Sequence, residues 1–203
     1  MNRNLRLLET SALLAMALCV LLSLTGAAQA GERISNAVLR LHVIANSDAP
    51  ADQAVKLSVR DALLRESESL AAAQTKRQAE QKTAKLLRQF RETAQQTVIA
   101  CGSSDTVSVS LERAFFPTRT YGDVTLPAGD YDALRVVIGK GEGKNWWCVM
   151  FPPLCLPAAE KETRLEDVLD DEALSLTARE PRFELRFWVL EQWEKWKQRH
   201  EAA

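Results

Sequence analysis

At Cys101-Gly102 the apolar spacing of the chain changes from a helical to a strand period, and this change decides its fold class. Before it, Ala79, Thr83, Leu86, Leu87, Phe90, Ala94 and Val98 recur at 3.6-residue spacing between residues 75 and 100. That is the buried stripe of an amphipathic helix. Its other face is Lys, Arg, Gln and Glu, a solvated surface. Gly102 supplies the left-handed conformation on which helices end. Beyond it Val107, Val109 and Leu111 alternate with Thr106, Ser108 and Ser110, which predicts a half-buried strand over 105–111.

A strand also precedes the helices. VLRLHVIA, residues 38–45, places Leu39, Leu41, Val43 and Ala45 on one face, which is core. Arg40 and His42 lie on the other, a mixed face that is either partly exposed or capped by polar partners. Asn46-Ser47-Asp48-Ala49-Pro50 follows as a helix start, with side-chain oxygens available to the first-turn amides and proline at the first helical position. The helix runs to about residue 69 and buries Val55, Val59, Ala62 and Leu63.

After residue 111 the signals are β and turn. Residues 115–122 read as an irregular or edge segment, because Pro117 cannot donate to a ladder. Residues 126–130 are turn chemistry, and 131–138 form another strand. Gly139-Lys140-Gly141-Glu142-Gly143-Lys144 then joins it to a strand at 146–151, most simply as an antiparallel hairpin. Residues 158–181 read as a polar surface excursion. Residues 182–200 carry Leu185, Trp188, Val189, Trp193 and Trp196 on one helical stripe, with 183–187 a short strand as the alternative. The expected architecture is α+β in one domain: a mostly antiparallel sheet packed by two long N-terminal helices and a C-terminal amphipathic helix.

The first thirty residues bear on the compartment. Arg3 and Arg6 precede an apolar run from Ala12 to Leu24, and Ala28-Gln29-Ala30 supplies the small residues of a cleavage site. This is the three-part pattern of a secretory signal, with cleavage expected near Ala30 and a single domain over 31–203. An uncleaved membrane anchor is the alternative, although the run is shorter than the ~20 residues that span a bilayer. The formal net charge is −1, and loss of Arg3, Arg6 and Glu9 leaves −2. A near-neutral chain gives no electrostatic reason to expect nucleic acid or an anionic membrane as partner.

Outside the cytoplasm disulfides persist. Cys19 leaves with the signal, so Cys101, Cys148 and Cys155 remain, and one of them stands outside any intramolecular pair. Pro152-Pro153 bends the chain between Cys148 and Cys155, and a Cys148–Cys155 disulfide is the expected pairing. So small a ring contributes about 2.5 kcal/mol in the loop-entropy account; its main effect is to fix a local shape.

Catalytic and metal signatures are weak. The glycine run 139–143 is followed by a Trp-rich strand, and phosphate loops need a helix there. A nucleophile–histidine dyad would have to use His42, and no signature surrounds any Ser or Cys. The two histidines and scattered cysteines lack metal-ligand spacing. No cofactor, metal or catalytic residue is expected from these patterns.

LRLHVIANSDAPADQAVKLSVRDALL (39–64), FPTRTYGDVTLPAGDYDALRVVIGKGEGKNWWCVMFPPLC (116–155) and FELRFWVLEQW (183–193) together resemble the stage II sporulation protein R family. The resemblance implies a non-enzymatic signal made in the forespore of an endospore-forming bacterium and exported into the space between the forespore and mother-cell membranes. It implies as partner the membrane-embedded aspartic protease stage II sporulation protein GA, which processes pro-sigma factor E. The family supplies no catalytic residues to carry over, and Cys101 is not part of its motif. The contact candidates are His42, Asn46, Asp48, Arg119, Tyr121 and Trp146, with oligomeric state left open. Two other readings stand beside it: an extracytoplasmic hydrolase using His42 or a cysteine thiol, and a cell-wall or small-molecule binding module with a tryptophan patch.

Overall fold

The computed structural model describes residues 3–70, 72–154 and 165–177. It is α+β, with one mixed sheet covered on both faces. In chain order the elements are α1 (Arg3–Ala37), β1 (Leu39–Ile44), α2 (Pro50–Glu66), α3 (Lys76–Ala100), β2 (Val107–Phe116), β3 (Arg119–Tyr121), β4 (Val124–Leu126), β5 (Gly129–Ile138), β6 (Asn145–Phe151) and α4 (Asp171–Thr177). The main sheet has the order β2-β5-β1-β6, and β3 pairs only with β4. β5 runs antiparallel to β2, whereas β1 is parallel to β5 and antiparallel to β6.

This order corrects the expected hairpin. β5 and β6 do not pair with each other; β1 lies between them. The reason is in β1 itself, whose six residues are all buried. A strand buried on both faces belongs inside a sheet with partners at both edges. The 139–144 connector therefore crosses the C-terminal end of β1. Gly139 and Gly141 take positive φ (59° and 68°) to make that crossing. The amides of Glu142 and Gly143 donate to the carbonyls of Asn46 (3.1 Å) and Ala45 (3.0 Å).

The same crossing explains Asn46-Ser47-Asp48. These side chains do not cap the first turn of α2, whose N-cap is Ala49 with no side-chain bond and with Pro50 at the first helical position. Asn46 Oδ1 instead accepts from the Lys140 amide (3.0 Å), and Asp48 Oδ1 accepts from the Lys144 amide (2.8 Å). Asn46 Nδ2 and Ser47 Oγ donate to Asp52 (3.0 and 2.6 Å).

Elsewhere the local signals translate directly. Thr75 caps α3 by accepting from the Gln78 amide, and Gly102 ends it at φ 79°. β2 starts at Val107 because the Gln95 side chain occupies the backbone before it: its amide donates to Asp105 O, and its carbonyl accepts from Val107 N, both at 2.9 Å. β2 then continues to Phe116, past the expected end at 111. The stretch read as an irregular or edge segment contains β3, a strand with β4 as its one neighbour among the described residues, and their hairpin turns at Gly122 with φ 61°.

Helices α2 and α3 cover one sheet face. Val55, Val59, Leu63, Phe90, Ala94 and Val98 pack there with Leu41, Val43, Leu134, Val136, Cys148 and Met150. Each fully buried aliphatic or aromatic side chain contributes about 1.5–3 kcal/mol of transfer free energy. The opposite face holds Phe116, Leu126, Tyr131, Ala133 and Val149 against Ala30, Ile34 and Val38. Helix α1 thus runs unbroken through the expected cleavage position, with Ala30 and Ile34 in the core and Leu13, Leu14, Met16 and Leu18 exposed. Among the described residues no helix is long and apolar enough to cross a membrane. Within the presumed polar excursion, Leu165, Ala173 and Leu176 are buried in this second cluster, so 165–177 is anchored and not merely a surface excursion. The expected C-terminal helix at 182–200 lies outside the described residues.

Candidate functional site

Strand register lines up the polar residues of the second face. His42 pairs with Arg135 of β5 and Trp147 of β6, and Arg40 pairs with Ala133 and Val149. Between them β1 delivers two polar side chains into the middle of a covered sheet.

Arg40 is 0% exposed. Its Nε donates to the Cys148 carbonyl (2.9 Å), and its Nη2 donates to the Tyr121 hydroxyl (2.7 Å). Tyr121 in turn donates to the Trp147 carbonyl (3.1 Å). The guanidinium carbon lies 4.3 Å from the Phe116 ring centroid, 4.8 Å from that of Tyr131 and 5.5 Å from that of Tyr121. Nη1 is buried and has no hydrogen-bond partner, and among the described residues no carboxylate pairs with the group. Burial lowers the Arg40 pKa, against the opposing pull of the two tyrosines; an arginine remains charged nonetheless. Burial likewise raises both tyrosines, with Arg40 opposing.

His42, 6% exposed, stacks on Trp147 with ring centroids 3.8 Å apart and planes 17° from parallel. Nε2 is 2.8 Å from Asn145 Oδ1, an acceptor, so Nε2 carries the proton. Burial pulls the pKa down to about 4, with the Asn145 bond opposing and Arg135 adding to the fall. At neutral pH the ring is therefore uncharged, and Nδ1 is a buried acceptor without a partner.

The remaining sequence candidates fall into separate places. Tyr121 joins Arg40 and His42 through Trp147, and Arg119 is exposed on the same short strand. Trp146 projects to the opposite, helix-covered face, half-buried, with the Arg60 guanidinium 4.3 Å above its ring. Asn46 and Asp48 hold the 139–144 crossing. Cys148 is buried on the helix-covered side, and Cys155 lies outside the described residues. Among the described residues the free thiols are Cys19 and Cys101, both exposed.

Arg40, Phe116, Asn145 and Trp147 were not singled out as site residues. The available signal was the pair of polar residues on one face of an otherwise apolar strand; what surrounds them comes from residues more than seventy positions away.

Chemically, the cluster offers a fixed buried cation and a neutral imidazole. It does not resemble a hydrolytic site, since His42 bonds to an amide and Cys148 projects from the other face. The glycine loop is no phosphate cradle either, because the amides of Lys140, Glu142, Gly143 and Lys144 are engaged within the fold. Among the described residues no cluster of His, Cys, Asp and Glu could hold a metal. A cavity of about 600 Å³ lies between the end of α1, the start of α3 and residues 167–170. Among its charged groups Arg33 is paired with Asp170, and Lys76 with Glu80 and Asp132.

Comparison with known proteins places these features in a family. The family model described as stage II sporulation protein R matches residues 35–161, which include both β1 and the 139–155 crossing and strand. Stage II sporulation protein R of Bacillus subtilis (strain 168) is 34% identical over 141 residues, 69% of this chain and 63% of that protein's length. No solved structure matches.

Proposed function

We propose that this chain, which belongs to the stage II sporulation protein R family, is an exported signal that activates the membrane-embedded aspartic protease stage II sporulation protein GA. On this reading it is secreted from the forespore into the intermembrane space, and the activated protease processes pro-sigma factor E in the mother cell. The observation that carries the proposal is the family match, which spans HVIANSD (42–48), NWWCVMFPPLC (145–155) and every strand of the sheet.

The role requires binding, not chemistry. A ligand activates a protease when it has higher affinity for the active than for the inactive state. Export supports the reading too, through the basic start, apolar run and Ala28-Gln29-Ala30. Because Ala30 is buried in the folded chain, cleavage there precedes folding. A Cys148–Cys155 disulfide belongs to the same proposal and fixes the end of β6. The hydrolase reading is disfavoured by the His42–Asn145 bond and by the placement of Cys148 on the opposite face.

Co-expression in a non-sporulating host tests this. The chain, the protease and the pro-sigma factor are produced together, with and without the export signal. Processing is expected only with the exported chain. Processing that ignores export, or that never occurs, overturns the proposal.

A further inference from the structure

Arg40 is a permanent cation, fully buried, with no counter-charge among the described residues. Buried charges ordinarily sit against an opposite charge, because desolvation otherwise outweighs what neutral partners return. Here the partners are neutral: one carbonyl, one phenol and three ring faces. The Nε edge is committed to the Cys148 carbonyl. The other edge, formed by Nη1 and Nη2, holds only the Tyr121 hydroxyl, on Nη2, and leaves Nη1 without a partner. That end-on pair of parallel donors has the geometry of a planar carboxylate.

The group bonded to Nη2 belongs to an element held outside the main sheet. Tyr121 sits in a ribbon of two three-residue strands that pairs with no strand of the main sheet. An isolated two-stranded ribbon is marginal by itself, and such elements open locally at the low end of a protein's stability range. Its attachment is by side chains, chiefly Leu126, Tyr121 and Val124.

We propose that Arg40 is the seat for a carboxylate of the partner protein, reached when the β3–β4 ribbon lifts and Tyr121 is replaced on Nη2. The partner clause rests on the activating-signal reading above; the carboxylate seat itself does not. The phenol acts as a neutral occupant, holding the donor edge until an acidic side chain or chain end takes both Nη positions.

Sodium acetate is the probe, titrated into the isotopically labelled chain at constant ionic strength against sodium chloride. The Arg40 Nε–H and Trp147 indole signals are followed by NMR. Both are expected to shift saturably with acetate and not with chloride. Tyr121→Phe, which removes the occupant but keeps the ring, is expected to tighten acetate binding about tenfold to a hundredfold, the scale of one hydrogen bond to a charged group. Arg40→Gln is expected to abolish the shift at Trp147. Should that variant not fold, the wild-type and Tyr121→Phe titrations decide alone. No saturable shift in either, an unchanged shift in folded Arg40→Gln, or tighter binding of inorganic phosphate than of acetate each overturns the assignment. The titration contains no protease, so its failure leaves the signalling proposal standing. Conversely, failed processing with intact acetate binding counts against that proposal alone.

Discussion

Replacing His42 with glutamine, which cannot titrate, is expected to remove one specific component of the protein's acid sensitivity. In the fold the ring is stacked on Trp147 and bonded to Asn145, and burial takes its pKa from 6.5 to about 4. The unfolded chain exposes the ring and binds its proton near pH 6.5. Between those values the unfolded state holds more protons than the folded one, so stability falls as pH falls through this window and is fully present above it. Linkage across these two pKa values gives a loss of about 2 kcal/mol by pH 5 and about 3 kcal/mol by pH 4. Carboxylates also titrate in this range, but they do so in both proteins, so the difference between wild type and His42→Gln isolates the histidine. The assay is urea unfolding at pH 7, 6, 5 and 4, read from tryptophan fluorescence. The variant is less stable than wild type at pH 7, having lost the stack, and the gap should narrow steadily on acidification. A gap that stays constant, or widens below pH 6, would refute a buried neutral His42.

Other outcomes follow from the same contacts. Gly143→Ala drives a Cβ into the Ser47 carbonyl and against Ala45, so the crossing over β1 must shift. Losing the two backbone bonds there costs about 1–3 kcal/mol, and a melting temperature unchanged from wild type would contradict the crossing. Gln95→Leu leaves Asp105 O and Val107 N without their side-chain partner. It should destabilise by about 1–2 kcal/mol and speed amide exchange at Val107, and slow exchange there would count against the cap. Alkylating the exported, denatured chain without reductant should label Cys101 and spare Cys148 and Cys155; three labelled thiols would exclude the proposed disulfide.

What could be read from the sequence was what is local. The α3 stripe, its Thr75 start and its Gly102 stop depend on neighbours within a few residues, and all three stand in the structure. The aliphatic face of β1 was equally plain. Pairing was not, because alternation says which residues share a face and nothing about which strand lies beside which. Putting β1 between β5 and β6 needed the burial of its second face, and that burial depends on Tyr121 and Trp147, distant in sequence. Asn46 and Asp48 carried a strong cap signal, yet their acceptors were taken by amides 94 and 96 residues away. For Arg40 the sequence left two readings of a mixed face, partly exposed or capped by polar partners; the second holds, and the rings that enclose the group arrive from three other strands. The basic start and apolar run were legible as composition, while the packing of Ala30 and Ile34 in one cluster with Phe116 and Tyr131 is a tertiary fact with no local mark.

The proposed role requires this chain to act from outside the membrane as an activating ligand. The direct measurement adds the exported, purified chain to intact spheroplasts that carry the protease in their membrane and the pro-sigma factor in their cytoplasm. Cleavage inside is expected to begin on addition outside, to saturate with the chain's concentration, and to fail with heat-denatured chain. No cleavage from the folded chain outside, or cleavage only when the chain is produced within the cytoplasm, would contradict it.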